Sequence, residues 1–320
     1  MSQLTELKEA IRKALPDLDL VLGWREGYDA LHAPPYHIRR QEDLEHLVFG
    51  PMCVNNLASQ LMHLRGKKVG IIVKGCDARS VVELLQEKIV NRESLVIFAM
   101  PCKGVLDVKK IRRALDIDHA REVHFHNGTI EITSGDKTSS VELKDVLADK
   151  CLRCHYPNAT EYDHFIGEPV EPRVSAEEAA ADPAMEELAG MDLTERFAFW
   201  KTHMNRCLRC YACRNSCPLC FCRDVCLADS RDPHWQSQET SVREKWMFQM
   251  IHAMHLAGRC TQCGECERAC PVGIPILLLK KHLNAVVKDL FNYEAGIDPT
   301  ATPPLFTFKV EEENIKEIEL

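Results

Sequence analysis

The chain has no apolar run approaching the roughly 20 residues of a membrane span. Its longest apolar stretches, Val69–Val73 and Leu95–Met100, are strand-sized. It has no G-x-G-x-x-G, and no G-x-x-x-x-G-K followed by Ser or Thr, so nucleotide binding has no motif behind it. It has no excess of positive charge. Lys and Arg number 40 against 48 Asp and Glu, a net charge of −8, which excludes a general nucleic-acid binder. No nucleophile and base form a catalytic dyad, and the scattered Asp, Glu and His residues read as surface. The first fifteen residues, MSQLTELKEAIRKAL, lack a long apolar core and alternate charge with leucine. They read as an amphipathic helix and not a signal peptide, so the expected location is cytoplasmic.

What the chain does have is cysteine, 16 in 320 residues. In a reducing compartment such cysteines are metal ligands or redox thiols more often than disulfides. Hydrophobic content of 45% and charged content of 28% belong to a globular protein.

The first 145 residues alternate helical and strand patterns. Helical periodicity runs through Leu4–Leu15 and again near Asn55–Leu64. The short apolar run Val69–Lys74 reads as a buried parallel strand. A helix follows over Ala78–Ile89, then a second buried strand over Leu95–Met100 and a helix near Val105–Leu115. Strand, helix, strand, helix implies a βαβ unit and a parallel sheet. In Glu122–Thr133, Asn127-Gly128 between alternating runs signals a hairpin. Pro169, Pro172 and Pro183 flank the acidic, alanine-rich SAEEAAADPAMEELAG, which reads as a linker with a short helix. Helices are expected at Leu193–His203, Ser241–Leu256 and Ile274–Leu290. The tail from Gly296 to Leu320 has little core of its own and suits a partner surface or a frayed end.

Two cysteine runs carry the clearest chemistry. Cys207-Leu-Arg-Cys210-Tyr-Ala-Cys213-Arg-Asn-Ser-Cys217-Pro218 and Cys260-Thr-Gln-Cys263-Gly-Glu-Cys266-Glu-Arg-Ala-Cys270-Pro271 both fit C-x-x-C-x-x-C-x-x-x-C-P. Three thiolates in a tight loop each reach one corner of a cubane cluster, and the fourth cysteine points at the other cluster. Cys207, Cys210, Cys213 and Cys270 are therefore expected to hold one 4Fe-4S cluster. Cys260, Cys263, Cys266 and Cys217 are expected to hold a second. Structural zinc sites would need no such pair of complete runs. Surplus cysteines follow the first run: Cys220, Cys222 and Cys226. Cys220 or Cys222 could replace Cys217 as a ligand, or all three could be buried thiols. His252 and His255, on the Ser241–Leu256 helix, read as packing or surface.

Four more cysteines lie in the first half. Cys76 and Cys102 each follow an expected parallel strand, where ligands bind beyond the carboxyl ends. Cys151 and Cys154 form a C-x-x-C. Together the four suffice for a third 4Fe-4S cluster, with zinc as the main rival and a thiol redox pair behind it. The helix start after Gly75-Cys76-Asp77 offers free N–H groups to a negative group. Cys53 has no obvious partner and reads as a buried thiol.

These residues resemble a known group. The pattern of Cys76, Cys102, Cys151 and Cys154 is similar to the core of the beta subunits of deazaflavin-reducing hydrogenases and formate dehydrogenases. The run Cys207–Cys222, with Pro218, Cys220 and Phe221, is similar to that of the iron–sulfur subunits of sulfhydrogenases and anaerobic sulfite reductases. The resemblance covers most of residues 45–275 and implies a place in an anaerobic, multi-subunit redox complex. The implied partners are a hydrogenase, a formate dehydrogenase or a heterodisulfide-reductase-like flavoprotein. Members that reduce the deazaflavin bind FAD and extend well beyond the C-x-x-C. Here Cys154 leads almost directly into the acidic segment, which argues against FAD.

The expected class is α/β, an N-terminal parallel-sheet domain followed by a mostly α dicluster ferredoxin-like domain. Its expected parts are a core over 1–165, a linker over 166–192, the two-cluster domain over 193–295 and a tail over 296–320. The expected function is relay of single electrons between partner subunits. The alternatives are an FAD-dependent oxidoreductase subunit and a zinc-stabilised docking subunit with a ferredoxin module.

Overall fold

The structure is a computed structural model and describes residues 2–126, 128–222, 226, 237 and 239–308. Helix α1 (Gln3–Ala14) is capped by the Ser2 side chain, which accepts from the Thr5 N–H. Its inner face buries Leu7 and Ile11 completely. Strand β1 (Leu20–Arg25) pairs antiparallel with β2 (Pro35–Ile38) and with β3 (Leu47–Val48). A 3-10 segment at Leu57–Leu64 leads to β4 (Val69–Val73), whose five residues are all buried. Helix α2 (Gly75–Gln86) then returns the chain to β5 (Leu95–Ala99). The β4–β5 pair is parallel, in register from Val69 with Leu95 to Val73 with Ala99. A strand buried on both faces has no polar alternation, which is why β4 reads as an unbroken apolar run.

Helix α3 (Val108–Leu115) is capped by Asp107, which accepts from the N–H groups of Lys109 and Lys110. The antiparallel meander β6 (Glu122–Phe125), β7 (Thr129–Ser134) and β8 (Lys137–Glu142) follows. The expected hairpin is thus present between β6 and β7, although Asn127 itself lies outside the described residues. Short helices α4 (Leu143–Val146) and α5 (Asp149–Leu152) precede β9 (His164–Phe165), which pairs parallel with β5. The main sheet runs β2-β1-β4-β5-β9, with β3 beside β1. The parallel sheet expected from the sequence is present as β1-β4-β5-β9, and β2 and β3 make the whole sheet mixed.

The acidic segment holds two short helices, α6 (Ala176–Ala180) and α7 (Pro183–Gly190), instead of one. The remaining chain is helical: α8 (Leu193–Arg206), α9 (Ala212–Asn215), α10 (Val242–Met254), α11 (Glu265–Ala269) and α12 (Ile276–Phe291). Asp192 and Glu195 cap α8 reciprocally, each side chain accepting from the other's backbone N–H. The acidic segment packs on α12, where Lys281 pairs with Asp182. Much of the stretch between the two cysteine runs, residues 223–225, 227–236 and 238, lies outside the described residues.

The two halves share a polar seam. Ser80 Oγ and Thr261 Oγ1 meet at 2.8 Å, buried. Arg79 donates to the Ala295 carbonyl at 2.9 Å, and Tyr156 donates to Glu294 at 2.8 Å. Arg259 forms a two-pronged pair with Glu87. The start of the expected tail is tied down, since Gln86 donates to the carbonyls of Asp298 and Ala301. Phe308 is exposed, and residues 309–320 lie outside the described residues.

Candidate metal centres

The first half gathers its four cysteines by topology. β4 and β5 end side by side, so Cys76 and Cys102 emerge from neighbouring strand ends. Helix α2 starts at Gly75, three residues earlier than the periodicity suggests, so Cys76 lies in its first turn. The segment 151–158 then crosses these ends. The Cys102 N–H donates to the Pro157 carbonyl at 3.0 Å. Gly75 lies so close to the Tyr156 carbonyl that a Cβ at this position would collide with it. Glycine there lets the C-x-x-C segment reach the start of α2. Cys76, Cys102, Cys151 and Cys154 all line one cavity of about 450 Å3.

Charge and hydrogen bonding around this cavity suit an anionic group. The Gly104 N–H points at Cys102 Sγ and the Val105 N–H at Cys151 Sγ, each at 3.4 Å. Lys74, 1% exposed, pairs with Asp77 at 2.7 Å and sits 4.2 Å from the centre of the Trp24 ring. Burial alone would lower Lys74, but Asp77, Cys76 and Cys102 together hold it above the ordinary lysine value. Arg79 Nε and Asn284 Oδ1, both on the cavity wall, are buried without a partner. Burial pushes the thiols of Cys76 and Cys154 up, and that of Cys102 to about 11. Cys53 is a fully buried thiol beside Lys74 and Cys102, pushed by burial to about 12.

The second half builds its sites from local backbone. Arg209 and Tyr211 in the first run have φ of 50° and 59°; Gln262 and Gly264 in the second have 56° and 74°. The left-handed residues thus occupy equivalent places either side of the second cysteine in each run. Such reversals turn successive N–H groups inward and make a concavity for a negative group. Backbone N–H groups of Arg209 and Ile274 point at Cys207 and Cys270 Sγ, each at 3.4 Å, and Gln249 donates to Cys213 Sγ at 3.7 Å.

Cys207, Cys210, Cys213 and Cys270 line one small cavity. Cys217 is not among its lining residues. Its charge bears on Cys260, Cys263 and Cys266, whose thiols burial pushes up, that of Cys263 to about 12. Cys220 and Cys222 bear on each other's neighbourhood instead: Cys220 feels Cys217 and Cys222, while Cys222 feels Cys226. His252 is buried against the Phe248 ring and His255 is exposed.

Among the described residues, no three His, Cys, Asp or Glu side chains stand close enough to hold a single metal ion. Two of the thiol sets line cavities, the space a cubane with its four irons would need. A buried cation stands among the others. Lys280 on α12 is 1% exposed, and the groups acting on it most strongly, after burial itself, are Cys266, Cys217, Cys260 and Cys213. A buried ammonium among neutral thiols is an uncompensated charge, and thiolates on an iron–sulfur cluster would compensate it.

Lys74, Lys280 and Lys150, whose ammonium donates to the Cys263 carbonyl, carry no signal in the cysteine motifs. A faint signal exists for Lys280, which shares a helix face with buried Ile276 and Leu277 in an apolar run. Lys74 follows an all-apolar strand directly.

Residues 203–274 match the family described as the 4Fe-4S dicluster domain. The chain is 24% identical over 348 residues to the F420-dependent formate dehydrogenase subunit beta of Methanocaldococcus jannaschii, covering 91% of this chain and 90% of that protein. The F420-dependent formate dehydrogenase 1 subunit beta of Methanococcus maripaludis is also 24% identical over 348 residues, covering 90% and 89%. Among solved structures, a chain of the F420-reducing NiFe hydrogenase complex of Methanosarcina barkeri matches with a TM-score of 0.38 and 17% identity, over 47% of this chain and 59% of that one. No helix among the described residues is long and apolar enough to cross a membrane.

Proposed function

We propose that this chain is the electron-transfer subunit of an anaerobic redox complex and holds three 4Fe-4S clusters. The observation that carries the reading is that two sets of four cysteines each line one cavity, one set at the ends of a parallel sheet and one at a local loop, beside a second loop of the same spacing. Bound clusters would supply one-electron oxidation and reduction, with potentials set by nearby charge and hydrogen bonds. The residues of the chain hold the thiols, exclude water and supply cations.

In this reading Cys207, Cys210, Cys213 and Cys270 bind one cluster. Cys260, Cys263, Cys266 and Cys217 bind the second, and Cys76, Cys102, Cys151 and Cys154 the third. Support for the crossed fourth ligands comes from the small cavity that Cys270 shares with the first run and from the bearing of Cys217 on the second. Support for the third set comes from its shared cavity. The parts are an α/β core over 1–165, a linker over 166–192, a two-cluster domain over 193–295 and a partner-contacting tail over 296–320. The names of the curated relatives favour a formate dehydrogenase as partner. The cysteine load favours a reducing, cytoplasmic setting.

A flavin reading has one observation behind it. The 450 Å3 cavity extends past the thiols to a wall carrying Lys281 and Lys288 as well as Arg79 and Arg153. That size is within the range of small-ligand pockets. Anaerobic purification with iron, zinc and flavin measured together decides among the readings. The relay predicts about twelve irons per chain, four to a cluster, without flavin fluorescence after acid release. Flavin release would favour the oxidoreductase, and about eight irons with zinc the docking subunit.

A further inference from the structure

The three thiol sets differ in how they meet solvent. Of their twelve cysteines, Cys210 alone is exposed. Leu208, two residues earlier, is 64% exposed. Leu208 and the exposed Pro271 both line the small cavity of Cys207, Cys210, Cys213 and Cys270. In the second run Cys260, Cys263 and Cys266 are buried. The cavity of the N-terminal set is walled by residues of α6 and α7. Arg153 holds that wall in place by donating to the carbonyls of Glu178 and Ala181.

Charge divides along the chain in the same way. Residues 168–195, which supply that wall, hold nine Asp or Glu and one Arg. Residues 196–222 hold five Lys or Arg and no Asp or Glu, in a chain of net charge −8. Arg206, exposed at the end of α8, meets His203 Nδ1 at 2.7 Å. Arg209, between Leu208 and Cys210, donates to the backbone carbonyls of Ser237 at 2.9 Å and Glu239 at 2.6 Å. Beside Pro271 the exposed Lys109 donates to the carbonyls of Cys270 at 2.7 Å and Arg268 at 3.2 Å.

A cation bonded to carbonyls keeps its whole charge. Among the described residues, none of Lys109, Arg206 and Arg209 forms an ion pair with a carboxylate. Of the carboxylates beside them, Asp107 accepts from the Lys109 N–H and Glu244 from the Ser237 N–H, while Glu239 is exposed. Cations thus stand on both sides of the lip made by Leu208 and Pro271.

We propose that the lip of Leu208, Cys210 and Pro271 is the docking face for a separate one-electron protein that surrounds its own redox centre with Asp and Glu. This rests on the relay reading. An apolar centre with a charged rim is the usual plan of a transient interface. Opposite charge steers such a partner to the lip and sets its orientation there. Electron tunnelling slows steeply with distance, so exchange belongs where a thiol of the set reaches the surface. One electron crosses at Cys210; the centres on either side change by one unit in opposite senses, and no proton or bond moves. The acidic wall over the N-terminal cavity repels the same partner.

The test uses the anaerobically loaded full chain and two probes, an acidic 4Fe-4S ferredoxin and cytochrome c, a basic one-electron protein. Affinity is read by calorimetry with both proteins oxidised, so that no electron flows. Exchange is read by stopped flow after reduction with dithionite. The wild type should bind the ferredoxin at low salt and lose it as salt rises. Arg206→Glu should cut ferredoxin affinity and the second-order rate about tenfold, without weakening the binding of cytochrome c. Leu208→Asp should cut both ferredoxin readouts at least as much. Glu187→Lys, at an exposed position of α7, should leave them unchanged. Absence of ferredoxin binding at low salt overturns the proposal. So does affinity unmoved in both Arg206→Glu and Leu208→Asp, or moved as much by Glu187→Lys, since net charge then governs. If Leu208→Asp sheds iron, Arg206→Glu, which lies outside the cysteine run, decides alone. The iron count separates the two levels: a wild type well below about eight irons removes the relay reading itself, while a loaded chain with indifferent binding removes only the docking face.

Discussion

The thiols of the second half are positioned by their nearest neighbours in sequence, and those of the first half by residues far away. Around Cys210 and Cys263 the left-handed residues recur at equivalent places, so each loop closes on itself. Around Cys76 and Cys102 nothing local closes. Their proximity comes from the register of β4 and β5, and the arrival of Cys151 and Cys154 depends on Gly75 yielding room to Tyr156. Local loops should therefore tolerate damage to the scaffold, whereas the sheet-end set should not. The difference also fits their origins in chemistry: a contiguous motif carries its own geometry, and a dispersed one borrows that of the fold.

The largest effect expected from this contrast is at the crossed ligand. Cys217→Ala should remove the cluster of the Cys260 run, about four irons, and leave the Cys207 run loaded, as cluster-resolved spectroscopy would report. Loss at the Cys207 run instead would return Cys217 to its own loop and break the crossed arrangement. A second effect falls on the scaffold. Asp77→Ala leaves Lys74 charged and buried without its partner, which should cost about 3–5 kcal/mol in urea unfolding. The iron of the N-terminal set should fall with it, while the module keeps about eight irons per chain. Equal loss from all three sets would show that the two halves stand or fall together.

The smallest effect lies on the seam joining the halves. Burial, and then the charge of Glu87, push the Glu83 carboxyl from 4.5 up to about 8. The folded chain then keeps a proton that the unfolded chain has lost. Stability falls as pH rises from about 4.5 to about 8, since the native state binds more protons across that window. Glu83→Gln, neutral at every pH, should flatten that fall when urea midpoints are compared across the window. An unchanged slope would assign the pH dependence to other groups.

The sequence made the dicluster runs legible because spacing and chemistry coincide there. It also marked β4, α2 and β5 through their apolar runs. It gave no sign of β1, β2, β3, β8 or β9. β2, β3 and β9 are edge or two-residue strands, too short for periodicity to register. β1 is an apolar run interrupted by Gly23, beside which Ile72 and Leu47 pack closely. The start of α2 at Gly75 was hidden because Gly75, Cys76 and Asp77 are poor helix formers; Asp77 at the third helical position accepts the Lys74 N–H and fixes the start.

By itself the sequence determined the type of centre and the membership of the two contiguous runs, because iron–sulfur loops are encoded within a dozen residues. It also put Cys76 and Cys102 at strand ends. Tertiary structure alone decided that these two meet Cys151 and Cys154 around one cavity, that Lys150 reaches the Cys263 carbonyl, and that Lys280 lies buried on α12. Burial and long-range proximity arise from packing elements remote in the chain, and no local spacing of residues records them.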